Sequence, residues 1–418
     1  MHHARRTAPQ APNPVSAPRR AIARLSTTAR LLLALAPVLA CLALLWSAEP
    51  RPALAAPASE PLKVIYGFDR EFPPYSFEYE GEATGFDVEV IKAICDAPNV
   101  ELIFRPLAWD KVQLQLSAGN VFVTSGMAKT KQRMLLYDFS ARPVLPLNVK
   151  LFTKGQHRVG NVTLLRGKTV SVPKGSFYQR VIEDFGGYNV KLYRNELDAL
   201  KALAADEVEV FCGGDKTAYY YIRKLHMQDI SAVGTPIRVT QMFLAVNKDH
   251  KDVLDLVNNG LRRIMENGEY DRIYRKWFVQ ELAPGEREKL IAAARDIRVN
   301  AYAPYTRQTD GAAVLTQSGR IYTGVTIENA LPNLTTSALK VAAMKAVSDG
   351  ETELRAAVVV SANGDIVPPS ADERQVLFEF GRGVLAVTEP VKGTFVDHMV
   401  SDLLPFAQAA APRDDGNI

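Results

Sequence analysis

Cysteine is scarce in this chain of 418 residues: Cys41, Cys95 and Cys212 are the only three, and none follows Cys212. That scarcity excludes a disulfide-braced scaffold and, after Cys212, any thiolate-ligated metal centre. Apolar runs are short as well. Leu31 to Trp46 spans 16 residues and contains Pro37, less than the roughly 20 a membrane-spanning helix needs. A charge excess is missing once the first 55 residues are set aside. They hold seven arginines and one acid, Glu49, so the 50 basic and 46 acidic residues of the chain become 43 and 45, a net of −2. The calculated pI of 8.8 therefore belongs to the leader and gives no reason to expect nucleic-acid binding. No repeat of 20–50 residues is found, and no low-complexity tract outside the leader, which excludes a solenoid.

The first 55 residues have the order of a secretory signal peptide. Arg19, Arg20, Arg24 and Arg30 precede the apolar run, and Ala53-Leu54-Ala55 offers a small-residue cleavage site. Cleavage at 1–55 and a periplasmic location are expected, against the alternative of an uncleaved anchor. Val38-Leu39-Ala40-Cys41 resembles a lipoprotein box only faintly, because the apolar run continues past Cys41. Arg19-Arg20 lacks the flanking residues of a twin-arginine signal, so the route of export stays open. After cleavage Cys95 and Cys212 remain, as one disulfide or as two buried thiols.

What is present is a globular composition, 47% hydrophobic and 23% charged, in a chain long enough for two or three folding units. After a lead-in at 56–61, strand-like and helix-like patterns alternate. Leu62–Tyr66, Val121–Thr124, Thr169–Val172 and Val208–Cys212 read as strands. Gly85–Ile94, Ser176 to about Phe185, Asn195–Ala204, Leu254–Met265 and Asp271–Phe278 read as helices. The alternation predicts α/β architecture with mainly parallel sheets. Ala283-Pro284-Gly285 marks a boundary, placed at 282–285, and a new helix is expected from Glu286 to about Ala301.

Five stretches in order carry a resemblance. They are Phe68-Asp69-Arg70-Glu71-Phe72-Pro73-Pro74-Tyr75-Ser76-Phe77, Gly85-Phe86-Asp87-Val88, Ser125-Gly126-Met127-Ala128-Lys129-Thr130-Lys131-Gln132-Arg133, Tyr137-Asp138-Phe139-Ser140, and Asn267 to Phe278. Together they resemble the periplasmic solute-binding proteins of the polar amino-acid uptake family. The resemblance implies a two-lobed periplasmic-binding-protein fold over 62–281, with lobe one at 62–152 and 242–280, lobe two at 153–241, and ligand in the cleft between them.

By the same resemblance Arg133 would grip a ligand carboxylate, since a planar guanidinium makes two parallel charge-assisted bonds. The alternative is a surface arginine on a turn. Asp215 would receive an ammonium, or simply cap the helix that follows. Gly175-Ser176 opens a helix whose free N–H groups could hold the carboxylate, although Ser176 could equally be an ordinary cap. Phe72 and Trp109 would sandwich the ligand side chain, or sit in the core. Asp69 would read a basic side chain, or form a turn. Gly126 and Ala128 lie in the carboxylate-binding stretch. Ala128 stands where the family usually has Thr or Ser, which removes one hydrogen bond to the ligand. Lys129 could compensate, or the ligand could differ from a standard α-amino acid.

Residues 286–409 resemble the cytidine deaminase family in Ala301-Tyr302-Ala303-Pro304-Tyr305-Thr306, Gly311–Val314 and Thr323–Ala330. The zinc motifs depart from it. Ser337, Ser370 and Glu373 stand at the ligand positions, and Leu339 stands where the family has its acid/base carboxylate. Gln308 and Thr326 replace pocket residues, while Glu328 matches a ribose-contacting acid. Thiolates and a carboxylate are what zinc-assisted deamination needs. No catalytic residue, metal or cofactor is therefore expected, and the domain reads as a smaller α/β scaffold for assembly or docking, followed by a tail at 410–418. The expected function is periplasmic binding of an amino acid or related polar solute. Its partners would be an ABC permease and further copies of the chain through the C-terminal domain, with no nucleic acid. A ligand-gated adaptor without transport is the alternative; residual nucleoside binding or deamination ranks behind both.

Overall fold

The computed structural model describes residues 60–155, 162–227 and 229–404. The leader expected at 1–55, the lead-in through residue 59, the stretch 405–409 and the tail at 410–418 lie outside the described residues. Among the described residues no helix is long and apolar enough to cross a membrane.

Lobe one opens with β1 (Leu62–Asp69), whose Val64, Tyr66 and Phe68 are buried, as the alternation of side chains along a strand requires. A small antiparallel sheet of β2 (Glu71–Phe72), β3 (Ser76–Tyr79) and β4 (Glu82–Thr84) follows. Next come α1 (Phe86–Ile94), β5 (Val100–Leu107), α2 (Trp109–Ser117), β6 (Val123–Ala128), α3 (Lys131–Leu136) and β7 (Tyr137–Phe139). β8 (Leu145–Lys154) leads into lobe two, built from β9 (Thr169–Pro173), α4 (Phe177–Phe185), β10 (Asn189–Tyr193), α5 (Glu196–Ala204), β11 (Val210–Gly214) and α6 (Asp215–Lys224). The 18-residue β12 (Ile230–Asn247) returns to lobe one, where α7 (Lys251–Glu266) and α8 (Glu269–Phe278) pack against α1.

One sheet runs through both lobes in the order β10-β9-β11-β8-β12-β6-β1-β5, with β7 paired to β12. It corrects the expectation of mainly parallel sheets. β8 and β12 pair antiparallel with each other and with their outer neighbours, while β10-β9-β11 and β6-β1-β5 are parallel. Two strands that run in opposite directions between the lobes cannot be parallel to one another. β8 pairs with β11 from Val149 to Phe152.

Short polar residues start three helices. Thr130 accepts from Arg133 N, Ser176 from Gln179 N and Asn195 from Asp198 N, each satisfying a donor the helix cannot. Cys95 and Cys212 are separate buried thiols, and burial pushes the Cys95 thiol up to about 12.

The C-terminal part begins with α9 (Pro284–Ile297), two residues before the expected Glu286 and ending before Ala301. β13 (Gly311–Thr316), β14 (Ile321–Val325), α10 (Ala338–Ser348), β15 (Leu354–Val360), β16 (Ile366–Val367), α11 (Ala371–Glu379), β17 (Leu385–Val391) and β18 (Thr394–Met399) complete it. Its mixed sheet has the order β14-β13-β15-β17-β18, with β16 beside β15. Small residues let α10 lie close to this sheet: Ala338, Ala342 and Ala346 are buried, and a Cβ on Gly324 would meet Ala338 O at 2.3 Å. The core is shared with the binding lobes, because Tyr274 and Leu282 belong to the same buried cluster as Leu290, Leu315 and Val358.

Candidate functional site

Arg133 is positioned by the Thr130 cap of α3. Its Nη1 donates to Ala128 O at 3.1 Å and its Nη2 to Gln113 Oε1 at 3.5 Å, and the guanidinium carbon lies 6.0 Å from the Trp109 ring centre. Burial, then the charge of Arg180, lowers the Arg133 pKa to about 10, which still leaves it cationic at neutral pH. Across the cleft, Arg180 on α4 donates from Nη2 to Gln132 Oε1 at 3.1 Å. A cavity of about 220 Å³ lies between the lobes here, lined by Gln113, Thr130 and Arg133 on one side and by Gly175, Ser176 and Arg180 on the other. Ser176 Oγ is already engaged, accepting from Gln179 N at 3.1 Å and donating to Pro173 O at 2.7 Å. Two guanidinium groups beside a helix N-terminus have the chemistry that suits an anion such as a carboxylate. The Lys129 ammonium, beside Ala128 in sequence, stands over the Phe139 and Phe243 rings.

The remaining candidates gather at a second, acidic pole. Asp69 ends β1 and accepts from Glu71 N at 3.0 Å; burial above all pushes its carboxyl up to about 6. Phe72 stacks on Tyr75 with ring centres 4.6 Å apart. Gly126, at φ +67°, sits beneath it: a Cβ there would be 3.5 Å from the Phe72 ring and 3.7 Å from Asp87 Oδ2. Asp87 is buried and raised to about 6 for the same reason. Asp215 opens α6, 4% exposed, with Oδ2 accepting from Asn148 Nδ2 at 2.9 Å and Oδ1 from Lys216 N at 2.8 Å. Arg133, Trp109, Ala128 and Ser176 thus share one pole, and Asp69, Phe72, Gly126 and Asp215 the other.

Sequence reasoning missed Glu196. It is 5% exposed at the start of α5, and its Oε1 accepts from Gly214 N at 3.0 Å. Burial, with the charges of Asp69 and Asp215, pushes its carboxyl up to about 8. The available signal was Gly213-Gly214, a strand end stripped of side chains. A Cβ on Gly213 would lie 2.9 Å from Glu196 Oε1, and one on Gly214 2.7 Å from Tyr178 Oη. Some other side chains had to fill that space, but spacing alone does not name them. The lobes meet at both edges of the cleft, through Arg180–Gln132 and through Asn195 Nδ2 donating to Glu71 Oε2 at 2.7 Å.

In the C-terminal part the residues at the zinc positions do not fit a metal. Glu373 Oε2 accepts from both Ser370 N and Ser370 Oγ at 2.9 Å, so the carboxylate serves as a helix cap. Ser337 Oγ is buried without a hydrogen-bond partner, and Leu339 is in the core. Among the described residues no group of three or more His, Cys, Asp or Glu is arranged for a metal ion. Glu328 accepts from Tyr305 N at 2.7 Å and Thr306 N at 3.2 Å, which ties the loop before β13 to the end of β14.

Residues 64–280 match the family of bacterial extracellular solute-binding proteins, family 3, and residues 283–392 match cytidine deaminase-like proteins. Over 257 residues the chain is 30% identical to the "Probable histidine-binding protein" of Neisseria gonorrhoeae, covering 59% of this chain and 96% of that one. Over 121 residues it is 40% identical to the cytidine deaminase of Sporosarcina psychrophila, covering 29% of this chain and 89% of that one. A histidine kinase sensor domain with similarity to periplasmic binding proteins is 25% identical, with a TM-score of 0.50 over 52% of this chain and 97% of that one.

Proposed function

The chain belongs to the bacterial extracellular solute-binding proteins of family 3, and from that membership we propose that it binds a free amino acid between its two lobes, in the periplasm, as the receptor of an ABC importer. The observation that carries this reading is the cleft's two poles. Arg133 and Arg180 beside the α4 N-terminus suit a carboxylate, and the Asp69, Glu196 and Asp215 carboxylates suit an ammonium. The domains run 62–281 for binding and 286–409 for the deaminase-like part, behind a cleaved leader at 1–55. Ligand captured on lobe one is enclosed by lobe two, and the closed form is what a permease reads.

The deaminase-like part serves assembly rather than catalysis in this reading. Its zinc positions hold no metal-binding set, and it presents exposed Tyr302, Tyr305, Leu331 and Leu334 to a second copy of the chain. One observation favours the adaptor alternative, in which this part reports the state of the cleft: Glu353 pairs with the buried Lys150 of β8. Calorimetric titration of the purified protein with the common L-amino acids tests the binding reading. Saturable binding of at least one is expected; heat of dilution alone from all of them would remove it.

A further inference from the structure

Four carboxyl groups with few cations crowd the acidic pole. Asp69 comes from β1, Asp87 from α1, Glu196 from α5 and Asp215 from the start of α6. The groups facing Glu196 are the Asp69 and Asp215 carboxyls, the hydroxyls of Tyr75, Tyr178 and Tyr221, and the Cys212 thiol. Among the described residues none of the charges acting on it is positive. Asp215 spends both oxygens on Asn148 and on Lys216 N. Glu196 is fixed through Oε1 alone.

A second observation, separate from the acids, points to a ligand. The Tyr75 hydroxyl is fully buried without a hydrogen-bond partner, and so is Asp87 Oδ2. Tyr75 lies within electrostatic reach of Asp215, Asp87 and Glu196 and stacks under Phe72. A hydroxyl and a carboxylate oxygen left unsatisfied in one buried place are costly, and a ligand N–H group would satisfy both. Asn195, the neighbour of Glu196, bonds to Glu71, two residues from Asp69. That bond joins the lobes beside Glu196 and Asp69, whose carboxyls lie within electrostatic reach of each other.

We propose, on the basis of the amino-acid reading above, that Glu196 is a ligand-binding residue and that with Asp69 it selects amino acids carrying a second positive charge, of the arginine and lysine class. The ligand carboxylate goes to Arg133, and the side-chain cation goes to the Glu196–Asp69 wall. Burial and the Asp69 and Asp215 charges push the Glu196 carboxyl up to about 8, and a bound cation beside it favours the ionised form. Binding therefore releases a proton at pH 7, and affinity for the cation rises with pH towards 8.

The test is calorimetry of the purified protein with L-arginine, L-lysine, L-glutamine and L-citrulline, the last a neutral near-isostere of arginine, in buffers of differing ionisation enthalpy at pH 7. L-Arginine or L-lysine should bind at least about tenfold more tightly than L-citrulline, with proton release. Glu196→Gln should erase both the preference for the cationic ligands and the proton release. Equal binding of L-arginine and L-citrulline would overturn the inference and leave the amino-acid reading standing. Binding of none of the common amino acids would overturn both. Should the variant fold poorly, proton release by the unaltered protein still decides: cation binding without it removes Glu196 from the site.

Discussion

Lys150 Nζ lies 2.5 Å from Glu353 Oε1, joining β8 of the binding lobes to the loop before β15 of the deaminase-like part. The lysine is 3% exposed and the glutamate 22%. Lys150 is opposite Gly213 in the β8–β11 pairing, on a strand that crosses between the lobes. Asp215 and Lys216 both act on Glu353, so this ion pair stands directly behind the acidic pole of the cleft. The deaminase-like part also holds lobe one, where the Arg382 guanidinium lies 4.7 Å from the Tyr270 ring and pairs with Asp271 at 2.5 Å. It therefore touches elements of both lobes.

Removing one member of the pair leaves a buried charge alone. Glu353→Ala is expected to lower unfolding free energy by about 3 kcal/mol and to change ligand affinity although Glu353 does not line the cleft. Lys150→Met with Glu353→Met should recover most of the stability. Denaturant unfolding and calorimetry measure both. An unchanged denaturation midpoint and Kd in Glu353→Ala would mean that the pair couples nothing.

Stability without ligand should depend on pH in a direction fixed by the buried acids. Asp69 and Asp87 rise from 3.8 to about 6, and Glu196 from 4.5 to about 8. Each raised group contributes stability that is complete below its unfolded value and is lost as pH rises through its folded value. The windows are thus pH 3.8 to about 6 for the aspartates and pH 4.5 to about 8 for Glu196. The melting temperature of the ligand-free protein should fall as pH is raised through 8, and Glu196→Gln should flatten that fall. A melting temperature that climbs over the same range would contradict the burial of these groups.

Gly214 has an ordinary backbone conformation, so its requirement is purely steric. Gly214→Ala would bring a methyl to 2.7 Å from Tyr178 Oη, at a cost of about 1–3 kcal/mol. Tyr178→Phe in the same chain should relieve much of it. Denaturant unfolding of the two variants checks this, and a single substitution with no cost would show that Tyr178 moves freely.

Much of this was legible in the sequence, and the part that was not has a physical reason. Caps announce themselves locally, so Ser176 and Asn195 mark helix starts from a few residues of context. The placement of Arg133 followed from a continuous motif. Glu196, by contrast, fills a gap opened by Gly213 and Gly214, and no local pattern links a helix start to the end of a different strand. The antiparallel run of β8 and β12 was hidden because each strand reads like its parallel neighbours; only the path between lobes sets its direction. The Lys150–Glu353 pair joins two folding units and leaves no trace in either alone.

For the deaminase-like part, the purified protein is expected to carry no stoichiometric zinc and to leave cytidine unchanged, because Glu373 is spent capping α11. Elemental analysis and a spectrophotometric turnover assay check this. One zinc per chain with cytidine turnover would return the domain to catalysis.

The central claim, an amino acid held in the cleft by its carboxylate, is tested most directly by titrating Arg133→Ala beside the unaltered protein with whichever L-amino acid binds best. Loss of two charge-assisted bonds should weaken binding by about a hundredfold or more, with the melting temperature of the ligand-free protein nearly unchanged. An unchanged Kd in Arg133→Ala would contradict the account.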